Sequence, residues 1–266
     1  MDELLMTEIG AKAIVADTGP EEMVLPEEAE RKLGWIADWL NKSPHIAGEW
    51  GLRRYIDGGF RALFRGASGT GKTMAAVALA RGLGVDLLRI DLGSIVSNHD
   101  GETERNLKAI FEDAKEHGSI LLFDEADALF ARRTEVKDSH DRYANIEIAY
   151  LLRRLEAFEG LAIIATNGAG ELDHDVLSRV DVIVDFPMPA EAAREQLWSK
   201  IIGAVKMPKS DGVDAAELAR DYALSGAEIL RSTRLAAMRA ASASQPLDMN
   251  LLRSAASERV AMRRNG

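Results

Sequence analysis

Short apolar runs alternate with amphipathic stretches between residues 60 and 186, and this alternation is the main structural signal of the chain. Five runs are short and mostly apolar, as expected for strands of a sheet that is covered on both faces: 61–65, 85–91, 119–124, 161–165 and 182–184. Intervening stretches repeat apolar residues at helical spacing, most clearly over 102–117 and 141–158. The alternation predicts an α/β fold with a doubly wound parallel sheet and helices on both faces.

Only helical patterns follow Pro187 and Pro189. Four segments with helical periodicity are joined by short turn-like pieces: 190–203, 214–222, 226–241 and 248–262. The pattern predicts a small C-terminal all-helical domain over residues 188–266.

The N-terminal part divides into two segments. Residues 1–24 are acidic and include Gly19-Pro20, which predicts a loosely ordered arm. From Pro26 to Leu40 apolar residues fall at helical spacing, and Pro44 and Gly48 are expected to end this helix. The helix is expected to dock on the α/β domain, which is predicted to extend over residues 25–187.

Composition excludes several classes of chemistry. The chain has no cysteine, which excludes disulfides, thiolate nucleophiles and cysteine-based zinc sites, and its five histidines show no metal-ligand spacing. The first residues lack the basic and apolar regions of a signal peptide, and no apolar run approaches about 18 residues. We therefore expect a cytoplasmic protein without a membrane partner.

The charge is concentrated at one end. The net charge is −10, and residues 1–30 contain nine acidic residues and one lysine. The remainder is close to neutral and has no basic stripe of the kind that binds a phosphate backbone, so nucleic acid is not expected as a partner.

Residues 66–73, Gly-Ala-Ser-Gly-Thr-Gly-Lys-Thr, match the phosphate-binding pattern G-x-x-x-x-G-K-[ST] without a gap. A predicted strand precedes them and a predicted helix follows. Glycines let the backbone turn its N–H groups inward around an anion, and the helix directs its positive end at the same point. A glycine-rich turn without a ligand is the alternative, which this context disfavours. The residues expected to contact the nucleotide are Ser68, Gly69, Thr70, Gly71, Lys72, Thr73 and Met74.

Two acidic residues, Asp124 and Glu125, end the apolar run 120–123. Ligands of parallel sheets collect beyond the carboxyl ends of the strands, so these acids are expected near the phosphate loop. There Asp124 and Thr73 can hold Mg²⁺, and Glu125 can act as general base on the attacking water. The alternative is a pair of acids that merely starts an exposed loop.

Asn167 follows the run 161–165 and is expected at the same edge of the sheet. It can orient the lytic water and sense the γ-phosphate. It can equally be a turn-forming residue before Gly168, and spacing alone does not decide between the two. The predicted catalytic residues are thus Glu125, Lys72 and Asn167.

In this order and spacing, the phosphate loop, the run 121–130 and Ala165-Thr166-Asn167 resemble the AAA+ ATPases. Residues 225–229, Ser-Gly-Ala-Glu-Ile, resemble that family's motif in the helical domain. Within the family, residues 133–147 are most similar to the AAA+ ATPase of phage-tail-like contractile injection systems.

The resemblance implies a P-loop NTPase domain with a helical lid, ATP and Mg²⁺ as ligands, a protein client, and assembly into a ring, usually of six subunits. It also implies that Gly51 and Leu52 flank the adenine. A strand-entry turn is an equally good interpretation of these two residues.

Two positions depart from the family pattern. Where the family places an aromatic residue in the ring's pore, this chain has Ser97-Asn98-His99-Asp100, and we favour a solvated loop there. Where the family places two arginine fingers that reach the neighbour's γ-phosphate, it has Ser178 and Asp181. Arg179, Arg132, Arg133 or Arg142 would have to substitute.

Two functions follow as hypotheses. The first is an ATP-hydrolysing protein that remodels or assembles protein complexes as an oligomer. The second is a nucleotide-gated scaffold, or one subunit of a mixed ring, with weak hydrolysis because Ser178 and Asp181 replace the fingers.

Overall fold

A computed structural model describes residues 11–14, 23–49, 59–91, 102–127, 149–167 and 174–265. The strands are β1 (Ala11–Ile14), β2 (Phe60–Arg65), β3 (Leu87–Asp91), β4 (Ile120–Asp124), β5 (Leu161–Thr166) and β6 (Val182–Asp185). The first helices are α1 (Glu27–Glu49), α2 (Lys72–Leu83), α3 (Glu102–His117), α4 (149–157) and α5 (His174–Leu177). The C-terminal helices are α6 (Glu191–Ala204), α7 (Ala215–Asp221), α8 (Gly226–Ser242) and α9 (Met249–Asn265).

The chain divides into two compact units. One comprises residues 1–21, 27–66 and 72–185, and the other comprises 22–26, 67–71 and 186–266. The main division falls after Asp185, two residues before the boundary predicted from the sequence.

The first unit is built on a six-stranded sheet with the order β1-β3-β4-β5-β2-β6. Every neighbouring pair from β3 to β6 is parallel, and only β1 runs antiparallel to its neighbour β3. β4 and β5 are buried along their whole length, which explains why both are apolar runs without alternation. The mostly parallel α/β sheet confirms the predicted fold class.

Helices α3 and α4 form one core with the sheet. Their apolar faces, which include Leu107, Phe111 and Leu155, pack with Leu121 and Phe123 of β4. Among the described residues, none of α1 or α2 belongs to this core; α1 contacts β6, and α2 contacts β4. The apolar positions predicted for 102–117 are all buried.

The N-terminal segment departs from its prediction at β1. Residues 1–24 were expected to be a loosely ordered arm, but Ala11–Ile14 pairs with β3, and Ala11 is fully buried. Four residues give too short a pattern to distinguish from a loop. The exposed edge of β3 supplies the hydrogen-bonding partner that orders them.

α1 is longer than predicted, because its backbone continues through Pro44 and Gly48 to Glu49. A proline removes one backbone hydrogen bond from the helical ladder, and the prediction that this would end the helix is wrong. Contacts one turn apart support the extension: Lys42 Nζ lies 2.7 Å from Asp38 Oδ1, and His45 Nε2 lies 3.3 Å from Glu49 Oε2. Trp35, on this helix, is 52% exposed.

The second unit has its own core around the fully buried Trp198, with Leu218, Leu224, Ile229 and Leu252 among its members. Its four helices match the four predicted segments to within three residues at each end. α8 begins with a capping box, in which the Ser225 hydroxyl accepts from the Glu228 N–H and the Glu228 carboxylate accepts from the Ser225 N–H.

None of the helices in the described ranges is long and apolar enough to span a bilayer.

Candidate functional site

The carboxyl ends of β2, β4 and β5 bring the predicted site residues of the first unit together. Arg65 and Thr166 are in register, and Phe123 is in register with Ile164, so the residues that follow the three strands leave the same edge of the sheet. Two backbone hydrogen bonds fix this edge: Gly66 N–H donates to Thr166 O over 3.2 Å, and Ala126 N–H donates to Ala165 O over 2.9 Å.

The segment from Gly66 to Lys72 has the backbone of an anion-binding loop. The Thr70 hydroxyl donates to Ala67 O over 2.8 Å, which closes a tight turn. Gly69 has a φ of 80° and Gly71 a φ of 108°, conformations that residues with a Cβ rarely adopt. α2 begins at Lys72, and the N–H groups of a helix's first turn have no partner within the helix. These features fit a bound phosphate chain.

Gly69 also has a close neighbour within the second unit. Ala227 N–H donates to Gly69 O over 3.1 Å. A Cβ on Gly69 would lie 2.8 Å from the Ala227 Cβ and 2.9 Å from the Ser225 Oγ. Glycine is therefore required here both for backbone conformation and for space.

Lys72 is buried at the base of the site, with 7% of its surface exposed. Its Nζ donates to Gly66 O over 2.6 Å and to Asn167 Oδ1 over 3.2 Å. Burial lowers the pKa of Lys72, and the negative charges of Asp124, Asp127 and Glu125 partly oppose this shift.

Thr73 and Asp124 form the candidate metal site. The Thr73 hydroxyl donates to Asp124 Oδ2 over 3.1 Å, and the Glu125 N–H donates to Asp124 Oδ1 over 3.1 Å. No group of three His, Asp or Glu side chains that could hold a metal occurs in the part of the chain that the structure describes. One carboxylate and one hydroxyl fit Mg²⁺, which binds few protein ligands and completes its shell with water and phosphate oxygens.

Glu125 is exposed and has a φ of 53°, in the left-handed region. Non-glycine residues rarely adopt this conformation, and such strained residues cluster at functional sites. The turn after β4 thus leaves the Asp124 side chain buried and the Glu125 side chain accessible at the edge of the sheet.

Asn167 is positioned by Asp127, a residue that our sequence reasoning did not single out. Asp127 Oδ1 accepts from the Thr166 hydroxyl over 2.7 Å and from the Asn167 N–H over 3.0 Å, and its Oδ2 accepts from Asn167 Nδ2 over 3.1 Å. Asn167 in turn accepts from Lys72. The signal available in the sequence was a third acid three residues after Asp124, on a loop at the same edge of the sheet.

A second residue that the sequence analysis missed is Arg89 on β3, whose Nε lies 2.9 Å from Asp124 Oδ2. A charged residue inside a predicted strand was the available signal, but the sequence does not show which neighbouring strand it faces.

The remaining predicted positions are either exposed or outside the described residues. Ser68 and Met74 are exposed, Met74 at 41%. Outside the described residues lie Gly51, Leu52, His99, Arg132, Arg133 and Arg142.

The residues at the predicted finger positions differ in their surroundings. Ser178 is exposed. Asp181 Oδ2 accepts from the backbone N–H of Arg61 over 2.7 Å, and the Asp181 N–H donates to Arg61 O over 2.9 Å. Between them, Arg179 forms an ion pair with Glu156 of its own chain. Arg179, considered as a substitute finger, is therefore engaged within the subunit.

Comparisons with known proteins agree with this geometry. Residues 62–188 match the family model described as "ATPase family associated with various cellular activities (AAA)". The chain is 34% identical over 186 residues to Protein CdcH of Halobacterium salinarum, covering 67% of this chain and 24% of that protein.

Two further relatives have names that refer to the proteasome. Identity to the proteasome-activating nucleotidase of Archaeoglobus fulgidus is 35% over 175 residues, which is 63% of this chain and 44% of that protein. Identity to the 26S proteasome subunit RPT4 of Saccharomyces cerevisiae is 33% over 209 residues, 76% of this chain and 47% of that protein.

The chain spans less than half the length of each of these three relatives. The family match covers the sheet from β2 to β6 together with the phosphate loop, Asp124 and Asn167. Residues 62–188 are thus a domain of the AAA family of ATPases, with a P-loop NTPase fold followed by a helical C-terminal part.

Proposed function

We propose that the chain binds ATP with Mg²⁺ and hydrolyses it. The observation that supports this most directly is the pair of hydrogen bonds at the carboxyl edge of the sheet: Lys72 Nζ donates to Asn167 Oδ1 over 3.2 Å, and the Thr73 hydroxyl donates to Asp124 Oδ2 over 3.1 Å. Lys72 and Thr73 follow directly in sequence on a loop whose backbone fits a phosphate chain.

Each residue has a separate role in this proposal. Lys72 and the first N–H groups of α2 bind the phosphates, and Thr73 and Asp124 hold Mg²⁺. The metal, when bound, neutralises charge on the phosphate oxygens. Glu125 takes the proton of the attacking water. Asn167, held by Asp127, orients that water and contacts the γ-phosphate.

Substitution of Glu125 by Gln tests the base. E125Q is expected to retain Mg-ATP binding in calorimetry, while phosphate release falls by about 10²-fold or more, the usual contribution of a general base. Lys72→Ala should abolish the binding heat. The matched control is E159Q, because Glu159 is an exposed glutamate of the same unit, paired with Lys115, and should leave both measurements unchanged.

Hydrolysis by E125Q at the rate of the unaltered chain would show that Glu125 is not the base. If the unaltered chain gives no heat with millimolar Mg-ATP, the proposed function itself is wrong.

We further propose that the chain works in a cytoplasmic ring, most simply a hexamer, which remodels or assembles a protein client. Membership of residues 62–188 in the AAA family and the similarity to subunits named for the proteasome support this level of description. The resemblance of residues 133–147 supports a client in a phage-tail-like contractile injection system. Those residues lie outside the described part of the chain.

A second candidate function is a nucleotide-gated scaffold, or a subunit of a mixed ring, with slow hydrolysis. It is favoured by the engagement of Asp181 with Arg61 and of Arg179 with Glu156. Measuring the ATPase rate against protein concentration, with sizing by light scattering, separates the two. A rate that rises with assembly supports the motor, and a flat, very low rate supports the scaffold.

A further inference from the structure

The proposed function assigns no role to Arg89, although this residue contacts a candidate metal ligand. It lies on β3, in register with Leu122 of β4, and its Nε is 2.9 Å from Asp124 Oδ2. That oxygen also accepts from the Thr73 hydroxyl. A guanidinium from the neighbouring strand therefore lies within 3 Å of the candidate magnesium ligand.

The Asp124 and Arg89 side chains differ in how far they are exposed to solvent. The Asp124 side chain is 8% exposed and receives hydrogen bonds on both oxygens, whereas the Arg89 side chain is 45% exposed. Leaving a buried carboxylate unpaired is unfavourable, but a half-exposed guanidinium loses little when it moves into water. The contact thus pairs a buried acid with a half-exposed cation.

In the proposed function Thr73 and Asp124 would hold Mg²⁺, so the carboxylate that Arg89 contacts would also be a ligand of the metal. A guanidinium within 3 Å of that carboxylate repels a second cation there. Because Arg has five donors and remains charged at all accessible pH values, its guanidinium competes with Mg²⁺ for Asp124 at each of them.

We propose that Arg89 is a placeholder cation for Mg²⁺. It satisfies Asp124 in the metal-free chain and leaves that carboxylate when Mg²⁺ binds with the nucleotide. Arg89 thereby lowers the affinity for the metal and restricts its binding to the presence of the phosphates, which bring additional negative charge. This inference rests on the proposed binding of Mg-nucleotide at Lys72, Thr73 and Asp124.

The test measures how much Mg²⁺ is needed to bind a nucleotide, not how fast the chain hydrolyses it. The probe is ADP with a methylanthraniloyl fluorophore on the ribose, held at one concentration with the full chain and titrated with MgCl₂ from an EDTA-treated start. Arg89→Gln removes the charge and keeps a donor. Its Mg²⁺ midpoint is expected to be about fivefold lower, the equivalent of one partly exposed ion pair.

Two further variants control for charge and for position. R89K keeps the charge and should stay within about twofold of the unaltered midpoint, as expected for a modest screened interaction. R239Q makes the same change of net charge at an exposed Arg–Glu pair on the helical unit, Arg239 with Glu258, and should leave the midpoint unchanged. If the Gln variant melts earlier than the unaltered chain, R89M, which retains the apolar stem, replaces it.

An R89Q midpoint that is unchanged or higher overturns the placeholder role, because Arg89 would then be a bystander or a support for the metal ligand. That failure is distinct from failure of the proposed function. In the latter case the unaltered chain itself would not bind the probe at saturating Mg²⁺.

Discussion

At the scale of single residues, the site depends on a chain of contacts that begins outside the reacting groups. Asp127 accepts three hydrogen bonds from Thr166 and Asn167, and Asn167 accepts one from Lys72. Asn167 therefore has a fixed amide orientation before any ligand binds. In the proposed mechanism, Asp127 can thus influence the hydrolysis rate through Asn167.

We expect Asp127→Ala to lower the hydrolysis rate by about tenfold while the affinity for Mg-ATP changes less than about threefold, because Asn167 loses its support but Lys72 and Thr73 remain. The free energy of unfolding should fall by about 1–3 kcal/mol, since the Thr166 hydroxyl and the Asn167 N–H lose their acceptor.

Phosphate release and calorimetry measure these effects. The double variant D127A/N167A should be no slower than N167A alone, because the two residues act on the same step. Additive losses would contradict the positioning role of Asp127.

The lowered pKa of Lys72 predicts a pH dependence of nucleotide binding. Burial lowers this pKa in the free chain, and the phosphate charge raises it again in the complex. Affinity should therefore fall as pH rises through the pKa of the free chain, and binding in this range should take up a proton. Calorimetry in buffers of different ionisation enthalpy, at successive pH values below the ordinary Lys pKa of about 10.4, measures that uptake.

The control is Lys72→Arg, since a guanidinium stays charged over the whole range. Its affinity is expected to be weaker but independent of pH. An equally flat profile for the unaltered chain would show that Lys72 does not titrate there.

At the scale of single residues, the sequence predicts some of the site residues and not others. Lys72, Thr73, Asp124 and Glu125 follow from one contiguous motif and from the end of one apolar run. Asp127 and Arg89 do not, because their importance depends on which strands are neighbours. The order β3-β4-β5-β2 places them beside Asp124 and Asn167, and a single sequence does not determine a strand order.

At the scale of elements, the predictions succeeded where the pattern was long. The 16 residues of α3 gave four apolar positions in step, and both ends of this helix were predicted correctly. The four residues of β1 show no such periodic pattern. Their strand structure depends on pairing with β3, which is a tertiary contact. The end of α1 was predicted wrongly for another reason. The prediction treats proline as a helix terminator, whereas here proline only removes one backbone hydrogen bond.

Arg61 shows how one residue joins two elements. Its guanidinium donates to the carbonyls of Gly59, Leu155 and Glu156 over 2.5–3.1 Å, and the last two of these are at the end of α4. The last carbonyls of a helix have no N–H partner within the helix, so they need another donor such as this guanidinium. The side chain is 14% exposed, so water is a poor substitute.

We expect Arg61→Met to lower the free energy of unfolding by about 2 kcal/mol, because three carbonyls lose a charged donor. Nucleotide affinity should change little, since Arg61 lies near the start of β2 and the phosphate loop follows its end. Urea unfolding and calorimetry provide the two measurements. R220Q, at an exposed ion pair with Asp221, should cost less than about 0.5 kcal/mol. If both variants lose the same free energy of unfolding, the three hydrogen bonds of Arg61 stabilise the chain no more than an exposed ion pair does.

At the scale of the whole molecule, the proposed roles in nucleotide binding and as general base belong to groups of one chain, whereas an arginine finger would come from a neighbour. The family resemblance places such arginines at positions 178 and 181. Asp181 is held by the backbone of Arg61, so its carboxylate has a structural role in this chain. Ser178 is exposed.

This difference leads to a gain-of-function prediction. If identical subunits form the ring, Ser178→Arg should place a guanidinium where a neighbour's γ-phosphate is expected, and the ATPase rate of the assembled protein should rise by about tenfold or more, below the 10³–10⁵ attributed to evolved fingers. The rise should vanish on dilution to monomers, because the arginine acts only across the interface. Phosphate release against concentration, with light scattering on the same samples, measures both.

Two substitutions test whether position and chemistry both matter. S178K supplies charge without a planar fork and should give a smaller increase. D181R should instead lower stability, because it removes the acceptor of the Arg61 N–H, a loss of about 1–3 kcal/mol for a hydrogen bond of this kind. If S178R assembles normally and its rate stays at that of the unaltered ring, position 178 does not face a neighbour's nucleotide. A subunit of a mixed ring would behave in that way, since its own assembly would not reproduce the natural interface.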